Sequence, residues 1–276
     1  MRCAITWWIF VLLILSSLEP SSAKISRKSS VMKKPMVGLV SQGLTSPLYG
    51  DPPPNNAMLE LFTHPNVYIG AVINGRWFDI EPQKGVYNFS SIEQGLNAIQ
   101  QYNSQYCPPV RAKLRIGAGN GTPQWVIDQV GGPVILTSCS HIGACSVRVV
   151  SYFWTPQYQA LWRNFTTTLA LQYDDDPLVQ EVGVTSCSSS TAEPFIIPNS
   201  QEDFTNLTLA NFTLQAYEQC ISDAFDDYSA WVNTPLDFPF SPLITGPFGS
   251  TNVNFTIQVM QSYRMAKGSL LDISNS

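Results

Sequence analysis

Few side chains in this sequence are grouped in a way that would support nucleophilic, metal-dependent or phosphate chemistry. His64 and His141 are the only histidines, so a catalytic cysteine would have little choice of a partner base. His141 lies between Cys139 and Cys145, but no second ligand pair has the spacing of a zinc site. The glycine-rich stretch 117–123 lacks the lysine of a phosphate-binding loop. The sequence therefore predicts neither a cofactor nor a metal centre.

The overall composition fits a protein with a large core and an uncharged ligand. Of the 276 residues, 44% are hydrophobic and 12% are aromatic. Charged residues make up 13%, about half the average of roughly 25% for soluble domains. The net charge of −5 gives no indication of nucleic-acid binding. A sugar, in contrast, is neutral and would not demand a charged surface.

The N-terminus predicts export from the cell. Arg2 is followed by an apolar run over residues 4–18 and by the small residues Ser21 to Ala23, so residues 1–23 are predicted to be a signal peptide. The run is shorter than the roughly 20 residues of a membrane span. The alternative is an uncleaved anchor, since basic residues follow the run, and only in that case is a membrane partner expected. Residues 24–35, which are basic and serine-rich, are predicted to be a flexible leader.

Six N-glycosylation sequons agree with a secreted, glycosylated protein. Those predicted to carry glycans are Asn88, Asn164, Asn206, Asn211 and Asn254, and the sixth sequon is Asn120. An oxidising compartment also permits disulfides, and the sequence predicts one between the neighbouring Cys139 and Cys145. Because Cys3 lies in the signal peptide, the other three cysteines would then leave one unpaired thiol.

From residue 36 onward, short apolar runs alternate with amphipathic helices, as in a parallel α/β fold. Strands are predicted at residues 36–40, 67–73, 111–116, 179–187, 241–245 and 270–273. Helices are predicted from Ser90, where Ser90 and Glu93 would form a capping box, and over residues 157–173, 209–232 and 255–265. Residues 131–153 are predicted to be a loop insertion. The pattern alone leaves a doubly wound sheet and an eightfold barrel open.

Three segments resemble clan A glycoside hydrolases, notably families 42, 10 and 5. Residues 77–89 read W-F-D-I-E-P-Q-K-G-V-Y-N-F and resemble the W-x-x-I-E-P-x-x-G-x-Y-x-F segment after the second strand of those enzymes. Residues 121–125, G-T-P-Q-W, are similar to the family 42 segment after the third strand. Residues 181–194 would correspond to the fourth strand, which ends in an Asn-Glu pair in the clan, where Ala192 and Glu193 stand here.

The resemblance implies a (β/α)8 TIM-barrel fold over residues 36–276 and hydrolysis of O-glycosidic bonds with retention. Glu193 would be the general acid/base, and Trp125, Trp77, Arg76 and Asn120 would line the cleft for an oligosaccharide or polysaccharide. Trp125 could stack on the apolar face of a sugar ring or simply pack beneath its loop, and Arg76 could equally be an ion-paired surface residue. The clan's nucleophile is a glutamate on the seventh strand, but no glutamate follows Glu218. The sequence therefore predicts a truncated barrel, incomplete at its C-terminus, and the alternative is a non-catalytic carbohydrate-binding protein on the same scaffold.

Overall fold

The fold was determined from a computed structural model, which describes residues 32–42, 60–139, 145–189, 193–195, 200–246, 250–267 and 271–275. The predicted signal peptide, most of the predicted leader, and Ala192 lie outside these residues. The strands are β1 (Val40–Ser41), β2 (Gly70–Arg76), β3 (Arg111–Gly117), β4 (Val134–Cys139), β5 (Cys145–Val150), β6 (Val179–Gly183), β7 (Leu236–Phe240), β8 (Leu243–Ile244), β9 (Thr251–Asn252) and β10 (Leu271–Asn275). The helices are α1 (Trp77–Ile80), α2 (Ser90–Gln105), α3 (Gln124–Val130), α4 (Pro156–Tyr173), α5 (Gln201–Leu209), α6 (Leu214–Asp223) and α7 (Val253–Lys267), with a further helical turn at residues 60–63.

Six parallel strands form the central sheet, in the order β1-β2-β3-β6-β7-β10. This order follows the chain without a reversal, whereas a doubly wound sheet reverses its strand order at a switch point. The molecule is therefore an incomplete (β/α) barrel, as the resemblance implied. The strands β2 and β3 are in register over seven residue pairs, from Gly70 opposite Arg111 to Arg76 opposite Gly117. Their carboxyl ends consequently lie at the same edge of the sheet.

Side chains alternate between the two faces of β3, which explains why this strand reads as apolar at every second position only. Ala112, Leu114 and Ile116 are buried toward the helices, while Lys113 and Arg115 are only partly buried. Lys113 forms an ion pair with Asp237 of β7, two strands away. Charged residues thus occupy the inner face of the sheet, and apolar residues occupy the face that the helices cover.

The W-x-x-I-E-P segment is a turn organised around a buried carboxylate. Glu81 is 4% exposed and accepts hydrogen bonds from the indole Nε1 of Trp77 at 2.8 Å and from the backbone N–H of Gly85 at 2.9 Å. Gly85 has φ +75°, a conformation that favours glycine. Trp77 itself has no exposed surface and packs against Trp162 and Phe165 at ring-centroid distances of 5.1 and 5.3 Å. The motif therefore joins β2 to the aromatic core.

Two predicted elements are wrong. The fifth strand of the barrel is β7 rather than residues 241–245, since Leu236 and Phe238 are buried and pair with the neighbouring strands. The predicted long helix 209–232 is instead the end of α5, then α6, then a 3-10 turn over Asp226–Tyr228. Asn211, with φ +59°, interrupts the helix between α5 and α6. The apolar spacing nevertheless predicted buried positions correctly, because Tyr217, Ile221 and Tyr228 are all buried.

Three local predictions also need correction. The insertion 131–153 contains an antiparallel hairpin, β4–β5, rather than a plain loop. The capping box does not form: the Asn88 Oδ1 accepts from the Ser90 N–H at 3.1 Å, and the Glu93 carboxylate accepts from the hydroxyl of Tyr173 at 2.8 Å. Residues 32–35 of the predicted leader contact the sheet, since the Lys33 ammonium donates to the carbonyls of Asp174, Asp176 and Val179 and to the Thr234 hydroxyl.

Candidate active site

The loop that follows β3 is a compact turn at the carboxyl edge of the sheet. Residues Gly119–Gly121 form one 3-10 turn, closed by the Thr122 hydroxyl, which donates to the Gly119 carbonyl at 2.6 Å. The same hydroxyl lies 2.8 Å from the phenol oxygen of Tyr158, which holds the loop on α4. Gly119 has φ +47°, and a Cβ atom there would lie 2.0 Å from the Ser189 carbonyl oxygen. Only glycine fits, and the loops after β3 and β6 are therefore in direct contact.

The loop after β6 is anchored at three consecutive residues. The Thr185 N–H donates to the Tyr228 hydroxyl at 3.0 Å, and the Ser186 hydroxyl donates to Asp227 Oδ2 at 2.6 Å. Cys187 forms a disulfide with Cys220 of α6. These ties join the end of β6 to α6 and to the 3-10 turn that follows it.

Asp227 is a buried carboxyl group whose environment favours the protonated form. It has no exposed surface, and burial raises its pKa to about 7, although the Ser186 hydrogen bond and the Arg163 guanidinium at 3.3 Å act in the opposite direction. Tyr228, the next residue, also has a pKa raised by burial, to about 12. The polar groups beneath the loop are therefore largely withdrawn from water.

Glu193 lies in the same loop, half-buried, and the residues that follow it are fixed to the barrel. Pro194 and Phe195 are buried, and the ring of Phe195 contacts Phe238 of β7 at a centroid distance of 5.0 Å. The Phe195 carbonyl also accepts a hydrogen bond from Ile244 at 3.1 Å. Glu193 thus follows the carboxyl end of β6 along the chain, between Ser189, which contacts the loop after β3, and Phe195, which contacts β7.

Unusual backbone conformations flank Glu193. Four non-glycine residues within the described ranges have positive φ, and two of them, Asn66 and Asn211, are asparagines, which tolerate it. The other two are Cys187, at φ +64°, and Phe195, at φ +74°, six residues before and two residues after Glu193. Residues of this kind cost roughly 1–3 kcal/mol each and concentrate at functional sites. This loop is therefore the strongest candidate for a functional segment.

The aromatic residues predicted to bind sugar differ in accessibility. Trp125 is half-buried, and its indole Nε1 donates to the Glu81 carbonyl at 3.1 Å. The Lys84 ammonium lies 5.9 Å from the centre of its ring. Trp77 has no exposed surface and packs edge-on against Trp125 at 5.9 Å, so we assign Trp77 to the core rather than to the cleft.

Arg76 and Asn120 occupy neighbouring positions at the edge of the sheet. Arg76 ends β2, and its Nε donates to Asp79 Oδ2 at 2.7 Å while the guanidinium lies 4.1 Å above the ring of Phe78. This is the ion-paired alternative that the sequence left open. Asn120, in the adjoining 3-10 turn, is half-buried, and its Oδ1 is a buried acceptor without a hydrogen-bond partner among the described residues.

The sequons fall into two groups by exposure. The exposed asparagines are Asn88, Asn164, Asn211 and Asn254, and the half-buried ones are Asn120 and Asn206. Asn206 also donates from its amide to the Ile135 carbonyl at 3.0 Å. Exposure makes the first group the better prediction for carrying glycans, which need space around the amide.

The disulfide arrangement differs from the expectation of one unpaired thiol. Besides the Cys187–Cys220 bond, Cys107 is disulfide-bonded, and no described cysteine is free. Cys139 and Cys145 are opposite each other at the end of the β4–β5 register, so their bond stays a prediction that the hairpin favours. In the described part of the chain, no group of three or more His, Cys, Asp or Glu side chains could hold a metal ion.

Sequence reasoning missed the polar residues on the inner face. Arg115 donates from Nε to Asn74 Oδ1 at 2.8 Å, and Asn74 donates in turn to the Gln42 carbonyl at 3.3 Å. The alternation of basic and apolar residues along β3 was the available signal. These bonds join the carboxyl ends of β1, β2 and β3. Among helices in the described ranges, none has the length and apolar character of a membrane span.

Comparison with known proteins adds a family relationship. Residues 56–259, which are 204 of the 276, match the sequence model of Glyco_hydro_42, described as beta-galactosidase. No curated protein matches the chain. Among solved structures, a beta-galactosidase from the psychrophilic Marinomonas ef1 is 15% identical, with 75% of this chain and 38% of that chain covered and a TM-score of 0.42.

Two other solved structures are similarly distant. An exo-beta-1,4-mannosidase, Op5Man5, from Opitutaceae bacterium strain TAV5 is 10% identical, with coverages of 75% and 31% and a TM-score of 0.42. Endo-glycoceramidase II from Rhodococcus sp. is 12% identical, with coverages of 89% and 75% and a TM-score of 0.41. The chain thus spans well under half the length of the first two structures.

Proposed function

Because the chain belongs to the Glyco_hydro_42 family, we propose that it takes part in hydrolysis of O-glycosidic bonds in a carbohydrate substrate, with Glu193 as the general acid/base. In barrel enzymes, catalytic groups lie at the carboxyl ends of the strands. The observation that supports the proposal is that Glu193 follows the carboxyl end of β6 along the chain, between two residues with positive φ. A half-buried carboxyl group at the carboxyl edge of a barrel can protonate the oxygen of the leaving group and then activate a water molecule.

We further propose a retaining mechanism, as in the clan. Retention requires a second carboxylate roughly 5 Å from the first, acting as nucleophile. Asp237 of β7 is buried and ion-paired with Lys113, near the start of its strand, so it is poorly placed for that role. We assign no described carboxylate as this nucleophile, so the retaining mechanism is proposed for the complete barrel.

Trp125 and Asn120 are the proposed substrate-binding residues on this chain. Trp125 keeps part of its surface exposed, and aromatic faces support sugar rings. Asn120 is half-buried in the turn that contacts the loop of Glu193, and we propose that it contacts the substrate from this turn. Arg76 is proposed to shape the edge of the cleft through its pair with Asp79.

The decisive experiment compares Glu193→Gln with wild type, both with the complete barrel, on aryl glycosides of several sugars, β-galactosides included. Glutamine cannot donate a proton, so we expect a fall in kcat/KM of about 10²–10⁴-fold for poor leaving groups and a smaller fall for good ones. Glu202→Gln, an exposed position in the first turn of α5, is the matched control. An unchanged rate in Glu193→Gln excludes this residue as the acid.

The non-catalytic alternative, a carbohydrate-binding protein, is favoured by one observation, the alanine at position 192. The clan's asparagine at this position binds the substrate, so its replacement removes a catalytic contact. If the wild-type chain releases no aglycone but binds oligosaccharides in calorimetry, and Trp125→Ala weakens that binding, the alternative replaces the hydrolase proposal.

We also propose that the protein is secreted and glycosylated, with carbohydrate as its partner. The low charge content and the four exposed sequons support this. Expression in eukaryotic cells should deliver the chain to the medium, and glycosidase treatment should increase its electrophoretic mobility. Retention in the membrane fraction would instead support the uncleaved anchor.

A further inference from the structure

The loop that carries Glu193 is bonded, where it leaves β6, to three separate elements: β3, α6 and the 3-10 turn that follows α6. The Thr185 hydroxyl donates to the Ile116 carbonyl of β3, and its N–H donates to Tyr228. Ser186 is bonded to Asp227, and Cys187 is bonded covalently to Cys220. The contacts of Thr185 and Ser186 are hydrogen bonds that water could replace, whereas the disulfide is covalent and cannot be replaced by water.

The disulfide also holds an unfavourable backbone conformation. Cys187 has φ +64°, which a residue with a Cβ atom adopts only when its surroundings determine it. Its partner Cys220 is 1% exposed within α6, where the Gln159 amide donates to the Cys220 carbonyl at 3.1 Å. The bond thus connects the turn to a rigid, buried part of a helix.

The direction of the chain after Cys187 is set by a second contact. Ser188 and Ser189 are fully buried, and the Ser189 carbonyl occupies the space where Gly119 lacks a Cβ atom. Glu193 follows four residues later. A turn released at Cys187 would lose its fixed approach to Gly119, and Glu193 would then be positioned only from the Phe195 side.

We propose that the Cys187–Cys220 disulfide is a positioning element for Glu193, holding the loop after β6 in the conformation that presents the carboxyl group to the substrate. This inference rests on the proposed function of Glu193. The disulfide does not contact substrate and acts through the backbone of residues 187–189. Export through an oxidising compartment supplies the conditions in which the bond forms.

The test uses the full chain, expressed through a eukaryotic secretory pathway, with the double substitution Cys187→Ser and Cys220→Ser. Amide hydrogen exchange is measured in peptides covering residues 184–189 and 193–195, and kcat, KM and the pH profile are measured with an aryl glycoside. We expect exchange in these peptides to rise about tenfold or more. We expect kcat to fall about tenfold or more with KM nearly unchanged, and the alkaline limb of the profile to move.

Two further variants separate positioning from general loss of stability. Ile99 is a buried residue of α2 that lies outside the site. Ile99→Ala creates a cavity in the core, and well below the melting temperature of this variant the loop's hydrogen exchange and kcat should be unchanged. Gly119→Ala keeps both cysteines but forces the Ser189 carbonyl away, and it should reproduce the fall in kcat. If the double variant fails to fold, wild type is reduced after folding; the loss of the bond should then raise the loop's exchange and lower kcat in the same way, and unchanged values would refute the proposal.

The outcomes separate this inference from the proposed function. If wild type hydrolyses glycosides and the double variant keeps both its kcat and its protected loop, the positioning role is refuted. If Ile99→Ala lowers kcat as much as the double variant, the effect is one of stability and the role is again refuted. If wild type with the complete barrel hydrolyses nothing, the proposed function fails, and the exchange comparison alone decides whether the disulfide orders residues 184–189 and 193–195.

Discussion

Replacing Asp227 with asparagine should abolish a pH dependence of stability that the buried carboxyl group imposes. In the folded chain its pKa rises from 3.8 to about 7, chiefly because burial disfavours the charged form. Between those two pH values the folded state holds a proton that the unfolded state has released. The free energy of unfolding therefore falls as the pH rises through this window, and it levels off above the folded pKa.

The size of the effect follows from the two pKa values. At 1.36 kcal/mol per pH unit, the rise from 3.8 to about 7 corresponds to about 4 kcal/mol over the whole range. Between pH 5 and pH 8, about 3 kcal/mol of this should be lost by wild type and not by Asp227→Asn. The amide is similar in size to the carboxyl group and can still accept from Ser186, while the half-exposed Arg163 can turn to solvent.

The assay is urea unfolding of both proteins, followed by tryptophan fluorescence at pH 5, 6, 7 and 8 with the disulfides intact. Other titrating groups contribute equally to both proteins, so the difference between the two unfolding free energies isolates Asp227. A difference constant to within about 0.5 kcal/mol would refute the reasoning. If the unfolding free energy of wild type minus that of Asp227→Asn instead increased with pH, Ser186 and Arg163 would outweigh burial.

Three further predictions follow from the structure. Trp77→Phe removes the buried indole N–H that donates to the Glu81 carboxylate, and it should lower the free energy of unfolding, measured in urea, by about 1–3 kcal/mol. Trp125→Phe removes a hydrogen bond to a backbone carbonyl and should lower the free energy of unfolding by about 1 kcal/mol. Lys33→Met removes the ammonium that donates to three backbone carbonyls and to the Thr234 hydroxyl, so it should lower the free energy of unfolding by about 1–3 kcal/mol in the same assay. An unchanged free energy would show that the N-terminal segment does not stabilise the sheet. Single Asn→Gln changes at the exposed sequons should each remove one glycan step in electrophoresis, whereas Asn120→Gln should leave the mobility unchanged.

The sequence predicts the barrel well because its strands are local features. Runs such as 111–116 and the segment 77–89 are read from neighbouring residues, and the structure has β3 and the Glu81-centred turn there. The fifth strand was missed because Pro235 and Pro239 flank and interrupt it, and proline is a poor indicator of a strand. β7 tolerates Pro239 because its pairing with β6 is confined to Leu236 and Asp237.

The candidate site was only partly predictable because its determinants are far apart in the sequence. Trp77 was expected in the cleft, but α1 begins at this residue, and its indole points into the aromatic core. The pairing of Cys187 with Cys220 spans 33 residues, and spacing alone does not determine which cysteines pair. Gly119 contacts Ser189 because β3 and β6 are adjacent parallel strands, and no local sequence pattern reveals which strands are adjacent.

The features that are unfavourable by local rules collect in the loops after β3 and β6 and in the 3-10 turn bonded to them. Cys187 and Phe195 have positive φ, Asp227 is a buried acid, and Asn120 Oδ1 and Ser188 Oγ are buried acceptors without hydrogen-bond partners among the described residues. A loop selected only for stability would replace such residues, since each costs free energy. Their concentration where β3 and β6 end is the physical argument for the proposed role of this loop. The same argument supports the proposed role of the Cys187–Cys220 bond, because the bond holds Cys187 in a conformation that is unfavourable by itself.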